Sequence, residues 1–475
     1  MRRTAAGHTW AGNHAYAARE LLHPGSLDEL AELVAATPRV RALGSRHSFT
    51  DLVDSELLVS LEDLPPVFEL DRDRQSVTVG GGVRYGEISR QLHARGWALA
   101  NLASLPHISV AGAVATGTHG SGDANRSLAT AVAALTVIDG AGGERTIARG
   151  DADFDGSVVG LGALGIVTSV TLDIEPTYDV RQEVWTDLPY AVVEERLDDI
   201  TRTGYSVSLF TDFSARGFAQ AWVKSRAEDP PVDGRLFFGA RPATRQLHPD
   251  IAAVADGVTQ QGGIPGPWLE RLPHFRLEFT PSHGAELQSE YLVPRTRALD
   301  ALDAMRRLQP RLAGLLRVAE LRTVAADDLW LSGAHGTDVV GFHLTWVLDE
   351  AAVYAALPLI ESELLPLAAR PHWGKCFTAT AADLAPLYPR LADFRALRRR
   401  VDPQDTFENG WLDRVIGSEP ISGRRRPLPA PQRRPPLTRR RRLWVAALGR
   451  ASVGCGRMSA WQRQGGRRRQ GRGPV

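Results

Sequence analysis

Apolar residues recur at helical spacing at Leu27, Leu30 and Val34, within and after Ser26-Leu27-Asp28-Glu29, which has the Ser-x-x-Glu form of a capping box. A helix is therefore predicted over Leu27–Ala36, stopped by Pro38 and followed by a short strand from Val40 to Leu43. In Ser76-Val77-Thr78-Val79 the pattern switches to alternation, as in a strand, and Gly80-Gly81-Gly82 breaks it. Ile88 and Leu92 then continue a helix that opens near Tyr85 and closes near Gly96. Strand, glycine turn and helix in that order suit an anion, because glycine lets backbone amides approach phosphate. The turn at Gly80–Gly82 has neither the G-x-G-x-x-G nor the G-x-x-x-x-G-K-[ST] spacing, so it supports neither a Rossmann site nor a P-loop.

The stretch from Ser104 to Gly122 is rich in Ser, Thr, Ala and Gly, contains no acid and no Lys, and is expected to be neither a helix nor a solvated face. Its small side chains allow close backbone contact, and its hydroxyls and amides can bond anionic oxygen, which reads as a pyrophosphate cradle; a tightly packed glycine-rich turn is the plainer alternative. The loop Gly44-Ser45-Arg46-His47-Ser48-Phe49 directly follows the Val40 strand. Gly44 allows a sharp turn there, and His47 is either a hydrogen-bonded loop residue or a nucleophile, proton carrier or metal ligand.

After Pro176, strand-like and helix-like segments alternate less regularly through Trp185, Val192 and Phe210, as in a second domain. Period two puts Glu320 and Arg322 on one face of Val318–Arg322 with Leu321 opposite, and puts His343 with Thr345 opposite Phe342, Leu344 and Trp346. Gln288, between Leu287 and Ser289, offers another polar side chain from a strand-like segment. Such a face either meets water, as antiparallel sheets commonly do, or binds a polar ligand through carboxylate, amide and imidazole acceptors and a guanidinium donor.

Composition adds a division of charge. The chain has 475 residues, 43% hydrophobic and 23% charged, enough for two domains and a large core. Its net charge of +1 averages unlike parts: residues 419–475 hold 16 Arg, no Lys and one acidic residue, leaving 40 basic against 54 acidic side chains before them. Clusters such as Arg424-Arg425-Arg426 and Arg439 to Arg442, mixed with Pro, predict a disordered tail with at most a helical turn or two at Leu443 to Leu448; nucleic acid is a lesser expectation, through this tail only. Two cysteines, Cys376 and Cys455, give no disulfide framework and no Cys-x-x-Cys pair, and no His-Glu-x-x-His occurs, so a zinc hydrolase is not supported and a reducing compartment fits. Met1-Arg2-Arg3 lacks the apolar core of a signal peptide, and no run approaches the roughly 18 apolar residues of a membrane span. A cytoplasmic protein is expected.

Taken in order, Gly44 to Ser48, Val79-Gly80-Gly81-Gly82, Ser104 to Gly122 and Gly160-Leu161-Gly162-Ala163-Leu164-Gly165-Ile166-Val167 resemble the FAD-binding domain of the vanillyl-alcohol oxidase flavoproteins. Within that family the chain resembles the alditol oxidases, whose relatives include the sugar-lactone oxidases. The resemblance runs from about Trp10 to Gly417 and takes in His372-Trp373-Gly374-Lys375 and the closing segment Phe407 to Arg414.

It implies an α+β protein: a two-subdomain FAD-binding domain over residues 10–178, a substrate (cap) domain built on an antiparallel sheet over 179–384, a C-terminal segment 385–417 returning to the FAD domain, and a tail over 418–475. It implies FAD attached covalently through His47 at the flavin 8α-methyl carbon, by a single histidyl link because no cysteine occurs in the Ser104 to Gly122 region. The implied FAD contacts, mostly through backbone, are Gly44, Ser45, Arg46, Ser48, Ser104, Ser109, Gly112, Thr116, Gly117, Thr118, His119, Ile166 and Lys375. Ser104, Gln288, Glu320, Arg322, His343, Thr345 and Lys375 match the polyol site.

The implied reaction takes the terminal primary hydroxyl of an alditol (xylitol, sorbitol) to the aldose, with hydride transfer to flavin N5 and reduction of O₂ to H₂O₂. His343 or Glu320 would accept the proton, and Arg322 and Lys375 would stabilise developing negative charge. A sugar lactone or another polyol, with an electron acceptor other than oxygen, is the alternative on the same fold. No metal is implied. A monomer acting on a small-molecule polyol and O₂ is expected, with no membrane partner.

Overall fold

The computed structural model describes residues 1–232, 237–279 and 285–417, so the expectations for the tail, the turn at Leu443 to Leu448 among them, lie outside the described residues. The chain begins with a mixed sheet in which Glu20–His23 pairs antiparallel with Arg2–Ala5 and parallel with Leu57–Val59, which in turn pairs parallel with Val40–Ala42. Helix Leu27–Ala36 forms as predicted and buries Leu30 and Val34 against this sheet. Ser26 caps it by accepting from the Glu29 amide at 3.1 Å, but the Glu29 carboxylate reaches the Gly25 amide at 2.8 Å instead of closing the box on Ser26.

A second, antiparallel sheet orders Phe68–Asp71, Ser76–Gly80, Ile166–Asp173, Val132–Ile138 and Glu144–Ala148. Helix Tyr85–His93 follows the Gly80–Gly82 turn, and Gly96 ends the segment at φ +83°, in the left-handed region that glycine tolerates. One expectation fails here: the Ser104 to Gly122 stretch contains a helix, Val110–Ala115. Alanine is the best helix former, and Val110, Ala113 and Val114 bury a small apolar face that the glycines leave room to pack.

From Asp179 onward the strands form one antiparallel sheet whose central members are Phe218–Arg226, Ser206–Thr211, Leu316–Val324, Val339–Val347 and Glu286–Pro294. Helices Tyr190–Thr201, Ala298–Leu312 and Glu350–Leu364 cover one face, where Leu197, Met305, Leu357 and Ile360 pack on Leu209, Leu321, Phe342 and Leu344. The opposite face keeps its polar residues. Helices Leu391–Val401 and Gly410–Val415 pack Phe394, Leu397 and Trp411 into the cluster that holds Val79, Ile88 and Val170. The protein is thus α+β, as expected, and among the described residues no helix is long and apolar enough to cross a membrane.

Arg41 ties distant parts of the chain together. Only 2% exposed, its guanidinium donates to the carbonyls of Phe407 at 2.7 Å, Leu52 at 2.9 Å and Leu161 at 2.6 Å. Arg41→Met removes the donors and keeps the bulk, so it should lower the unfolding free energy by about 3 kcal/mol or more, measured by chemical denaturation followed by tryptophan fluorescence; a loss under about 1 kcal/mol would show that the carbonyls need no donor from Arg41.

Candidate active site

The loop Gly44–Phe49 borders a cavity of about 570 Å³ that is also lined by the Ser104 to His119 stretch and by the polar face of the large sheet. Its shape is fixed at both ends: the Trp10 amide donates to the Arg46 carbonyl at 2.8 Å, and the Phe49 amide donates to the Gly374 carbonyl at 2.8 Å, beside Lys375. Arg46 stands at φ +64°, held by its guanidinium on the Ala6 carbonyl. The His47 ring stacks on Trp10 with centroids 5.6 Å apart and planes 20° from parallel, and its buried Nδ1 has no well-aligned hydrogen-bond partner among the described residues. Burial, with the nearby His107, holds His47 down at about 4, so at neutral pH the imidazole is uncharged and nucleophilic.

Behind this loop the backbone is drawn close. Ser45 Oγ accepts from the Ser109 amide at 3.0 Å, at the start of helix Val110–Ala115. A Cβ at Gly44 would lie 2.5 Å from Ser109 Oγ, and one at Gly112 would lie 2.7 Å from it, so a side chain at either position would displace the Ser109 hydroxyl. Gly160 to Gly165 has the G-x-G-x-x-G spacing, but it precedes strand Ile166–Asp173 instead of following a strand and opening a helix, so it is a cavity wall and not a Rossmann turn. An uncharged imidazole beside small residues that admit close backbone contact fits bound FAD.

Across the cavity, register does the assembly. Glu290 pairs with His343 and His343 with Glu320, while Gln288 pairs with Thr345, so side chains from neighbouring strands stand in rows on one face. Glu290, 1% exposed, is the centre. Its Oε1 accepts from Arg322 Nη2 at 2.8 Å, and its Oε2 accepts from Lys375 Nζ at 2.7 Å. His119 Nε2 lies 3.2 Å from Oε1, outside hydrogen-bonding alignment. Lys375 Nζ also reaches His343 Nδ1 at 2.7 Å, and Arg322 Nη1 donates to Ser104 Oγ at 3.2 Å. Glu320 accepts from His274 Nε2 at 2.8 Å and stands 3.6 Å from Arg322 Nε.

Charge follows this geometry. Burial alone would raise the Glu290 carboxyl, but Lys375, then Arg322 and His119, hold it well below the carboxylate range. Burial is likewise overcome at Glu320, by Arg322 and His274, so Glu320 is ionised too. His343 is pushed well below the usual histidine range, first by burial and then by the Lys375 charge. Burial also lowers Lys375, with Glu290 opposing.

The residues predicted to bind FAD and polyol line this cavity, Gly117 and Ile166 excepted. Ile166 is 1% exposed and packs with Leu22, Val40 and Phe407, and a Cβ on Gly117 would face Val159. Their neighbours Thr116, Thr118, Gly165 and Val167 face the cavity instead. Sequence reasoning missed Glu290 and His274. Glu290 carries the same parity signal as Gln288, two residues away, and could have been found by it; His274 stands in an irregular loop with no pattern to read.

Residues 18–148 match the family model of an FAD binding domain, and residues 285–415 match that of D-arabinono-1,4-lactone oxidase. The chain is 49% identical over 407 residues to an alditol oxidase of Streptomyces sp. (strain IKD472 / FERM P-14339), a match covering 85% of this chain and 97% of that one. It is 28% identical over 442 residues to an L-gulono-1,4-lactone dehydrogenase of Mycobacterium tuberculosis (strain ATCC 25618 / H37Rv), covering 86% and 98%. A cholesterol oxidase structure from Brevibacterium sterolicum superposes with a TM-score of 0.72 at 15% identity, over 87% of this chain and 97% of that one, which speaks to the fold alone. Fold and site together define an FAD-dependent oxidoreductase of the vanillyl-alcohol oxidase type. The chain belongs to the alditol oxidase family.

One glycine makes the Glu290 cluster possible. Gly341 sits between Arg322 and Leu292 in the sheet, and a Cβ there would lie 3.0 Å from Glu290 Oε1 and 3.5 Å from His119 Cε1. Since Arg322 and Lys375 leave Glu290 nowhere to move, Gly341→Ala should cost about 1–3 kcal/mol of stability, read as a lowered midpoint of chemical unfolding; an unchanged midpoint would mean that the carboxylate yields freely.

Proposed function

We propose that the protein oxidises the terminal primary hydroxyl of an alditol such as xylitol or sorbitol to the aldose, with FAD held covalently through His47 and O₂ reduced to hydrogen peroxide. The observation that carries this reading is the row of Gln288, Thr345, Glu320, Arg322, His343 and Lys375 on one cavity wall, a surface of alternating acceptors and donors that suits a chain bearing a hydroxyl at every carbon. On this reading residues 10–178 and 385–417 form the FAD domain and 179–384 the substrate domain. The buried free thiol of Cys376 suits a reducing compartment, and a cytoplasmic location belongs to the same reading.

Bound FAD supplies the two-electron acceptor for the alcohol carbon and the means of reducing O₂. Gln288, Thr345 and Ser104 would bind hydroxyls along the alditol. Arg322 would hold the reacting oxygen as it gains negative charge, joined by Lys375 once the proton given to His343 has passed through the ring and charged it. Both Glu320 oxygens already face donors, whereas His343 Nε2 meets only the rotatable Thr345 hydroxyl at 3.3 Å, which favours His343 as the proton acceptor. His343 and Lys375 share one short contact: with Lys375 charged, Nδ1 accepts and Nε2 carries the hydrogen; with Lys375 neutral, Nδ1 can carry it and Nε2 can accept.

Acid precipitation of the wild-type protein should leave a yellow pellet, and His47→Ala should yield a colourless one with FAD in solution; free FAD from the wild type would defeat the covalent link. Xylitol or sorbitol with O₂ should give peroxide; turnover with a dye acceptor alone, or with a lactone alone, would contradict the proposal. Because Nε2 can accept only while Lys375 is neutral, activity should be lost as pH falls through the Lys375 titration, which burial places below the ordinary lysine value of about 10.4, read in anaerobic flavin reduction. Lys375→Met leaves only His343 itself to be protonated, and because burial holds it below its ordinary value the loss should move to lower pH; no movement, or movement upward, would take His343 out of the role.

A further inference from the structure

We propose that Lys224 and His274 are positioning residues for this oxidation: Lys224 fixes the tautomer of His274, and His274 orients Glu320 toward the substrate hydroxyl. The proposal rests on the alditol reading above and extends it to residues behind the cavity wall.

Lys224, on strand Phe218–Arg226, is 1% exposed. Its ammonium donates to the carbonyls of Leu272 and of Pro273, the latter at 3.1 Å, and to His274 Nδ1 at 3.1 Å, so each of its hydrogens has an acceptor. An ammonium has no lone pair, so Nδ1 must supply one, and the ring hydrogen then sits on Nε2. The other end demands the same arrangement. Ionised Glu320 can only accept, and its Oε1 lies 2.8 Å from His274 Nε2. With Oε1 occupied, Oε2 is left toward Arg322 Nε at 3.6 Å and the cavity, where a substrate hydroxyl can donate to it.

The main chain of the same loop holds a second substrate-facing group. The amides of His274 and Phe275 both donate to the Ser104 carbonyl, at 3.1 and 3.3 Å, and Ser104 Oγ accepts from Arg322. Phe210 and Trp222 stand with ring centroids 5.8 and 5.1 Å from that of His274 and restrict its rotation. Burial, reinforced by Lys224, holds the ring down at about 4, so it carries one hydrogen at neutral pH. Burial lowers Lys224 itself to about 7, against the pull of Glu320, so the ammonium and Glu320 set the tautomer together below that pH and Glu320 sets it above. A buried Lys with no carboxylate in contact among the described residues, ending a chain of hydrogen bonds on a substrate-facing acid, is an arrangement that packing alone does not require.

The ring-nitrogen spectrum of the wild-type holoenzyme, made with isotope-labelled histidine and assigned through the loss of a signal in His274→Gln, reads the tautomer directly. Hydrogen on Nε2 is expected; hydrogen on Nδ1, or on both nitrogens, would overturn the proposal. Anaerobic flavin reduction at varied xylitol then separates binding from the limiting rate. Lys224→Met and His274→Leu should raise the half-saturating xylitol concentration about tenfold, while His274→Gln, whose amide can still donate to Glu320, should stay within about threefold of wild type. Equal half-saturation in the Leu and Gln variants would reduce His274 to a packing residue. Where Lys224→Met does not fold, the wild-type spectrum and the Leu and Gln pair decide. Should the wild type fail to be reduced by xylitol or sorbitol, the alditol reading falls, and the spectrum still decides the Lys224–His274–Glu320 chain.

Discussion

A carboxylate taken out of water is costly, and in this protein the cost at Glu290 is met by cations brought from separate segments: Arg322 from the neighbourhood of the sheet centre and Lys375 from the loop after the last short strand. None of these partners adjoins Glu290 in sequence. Their meeting requires the register that sets Glu290 opposite His343, the missing side chain at Gly341, and the hydrogen bond from His372 to the Glu290 carbonyl that leads the chain toward Lys375. The ions in turn set the state of everything the cavity offers a ligand. Arg322 and Lys375 stay fixed in place, His343 is kept uncharged, and Glu320 is kept ionised.

The opposite wall follows a different rule. There the sequence favours closeness over charge, with Gly44 and Gly112 both drawn onto Ser109 and the His47 ring laid against Trp10. The two walls are coupled by the Phe49 to Gly374 hydrogen bond, which joins the loop of His47 to the loop of Lys375. A shift of either loop would be felt at the other, and this gives the His47 loop a part in site geometry besides its proposed tether.

What the sequence made legible was what period and glycine spacing encode. Strand parity brought out Glu320, Arg322, His343 and Thr345, because the sheet is antiparallel and one face is covered by helices. The helix at Val110–Ala115 escaped because Gly112 and the glycine, serine and threonine around it read as loop when burial is not visible. Glu290 escaped although it shares parity with Gln288, since a carboxylate between Ser289 and Tyr291 reads as an exposed strand residue until its partners are known. Lys224 and His274 could not be paired from sequence at all. They lie on a strand and an irregular loop, and only the fold sets them 3.1 Å apart. Family resemblance supplied the order of motifs; the register supplied the chemistry.

The dependence on Glu290 is most directly measured by anaerobic reduction of the bound flavin with xylitol in Glu290→Gln, which keeps the shape and removes the charge. Glu290→Gln is expected to retain its flavin but to be reduced about 10²-fold or more slowly, because Arg322 and Lys375 lose the anion that holds them. Reduction within about threefold of the wild-type rate would contradict that dependence.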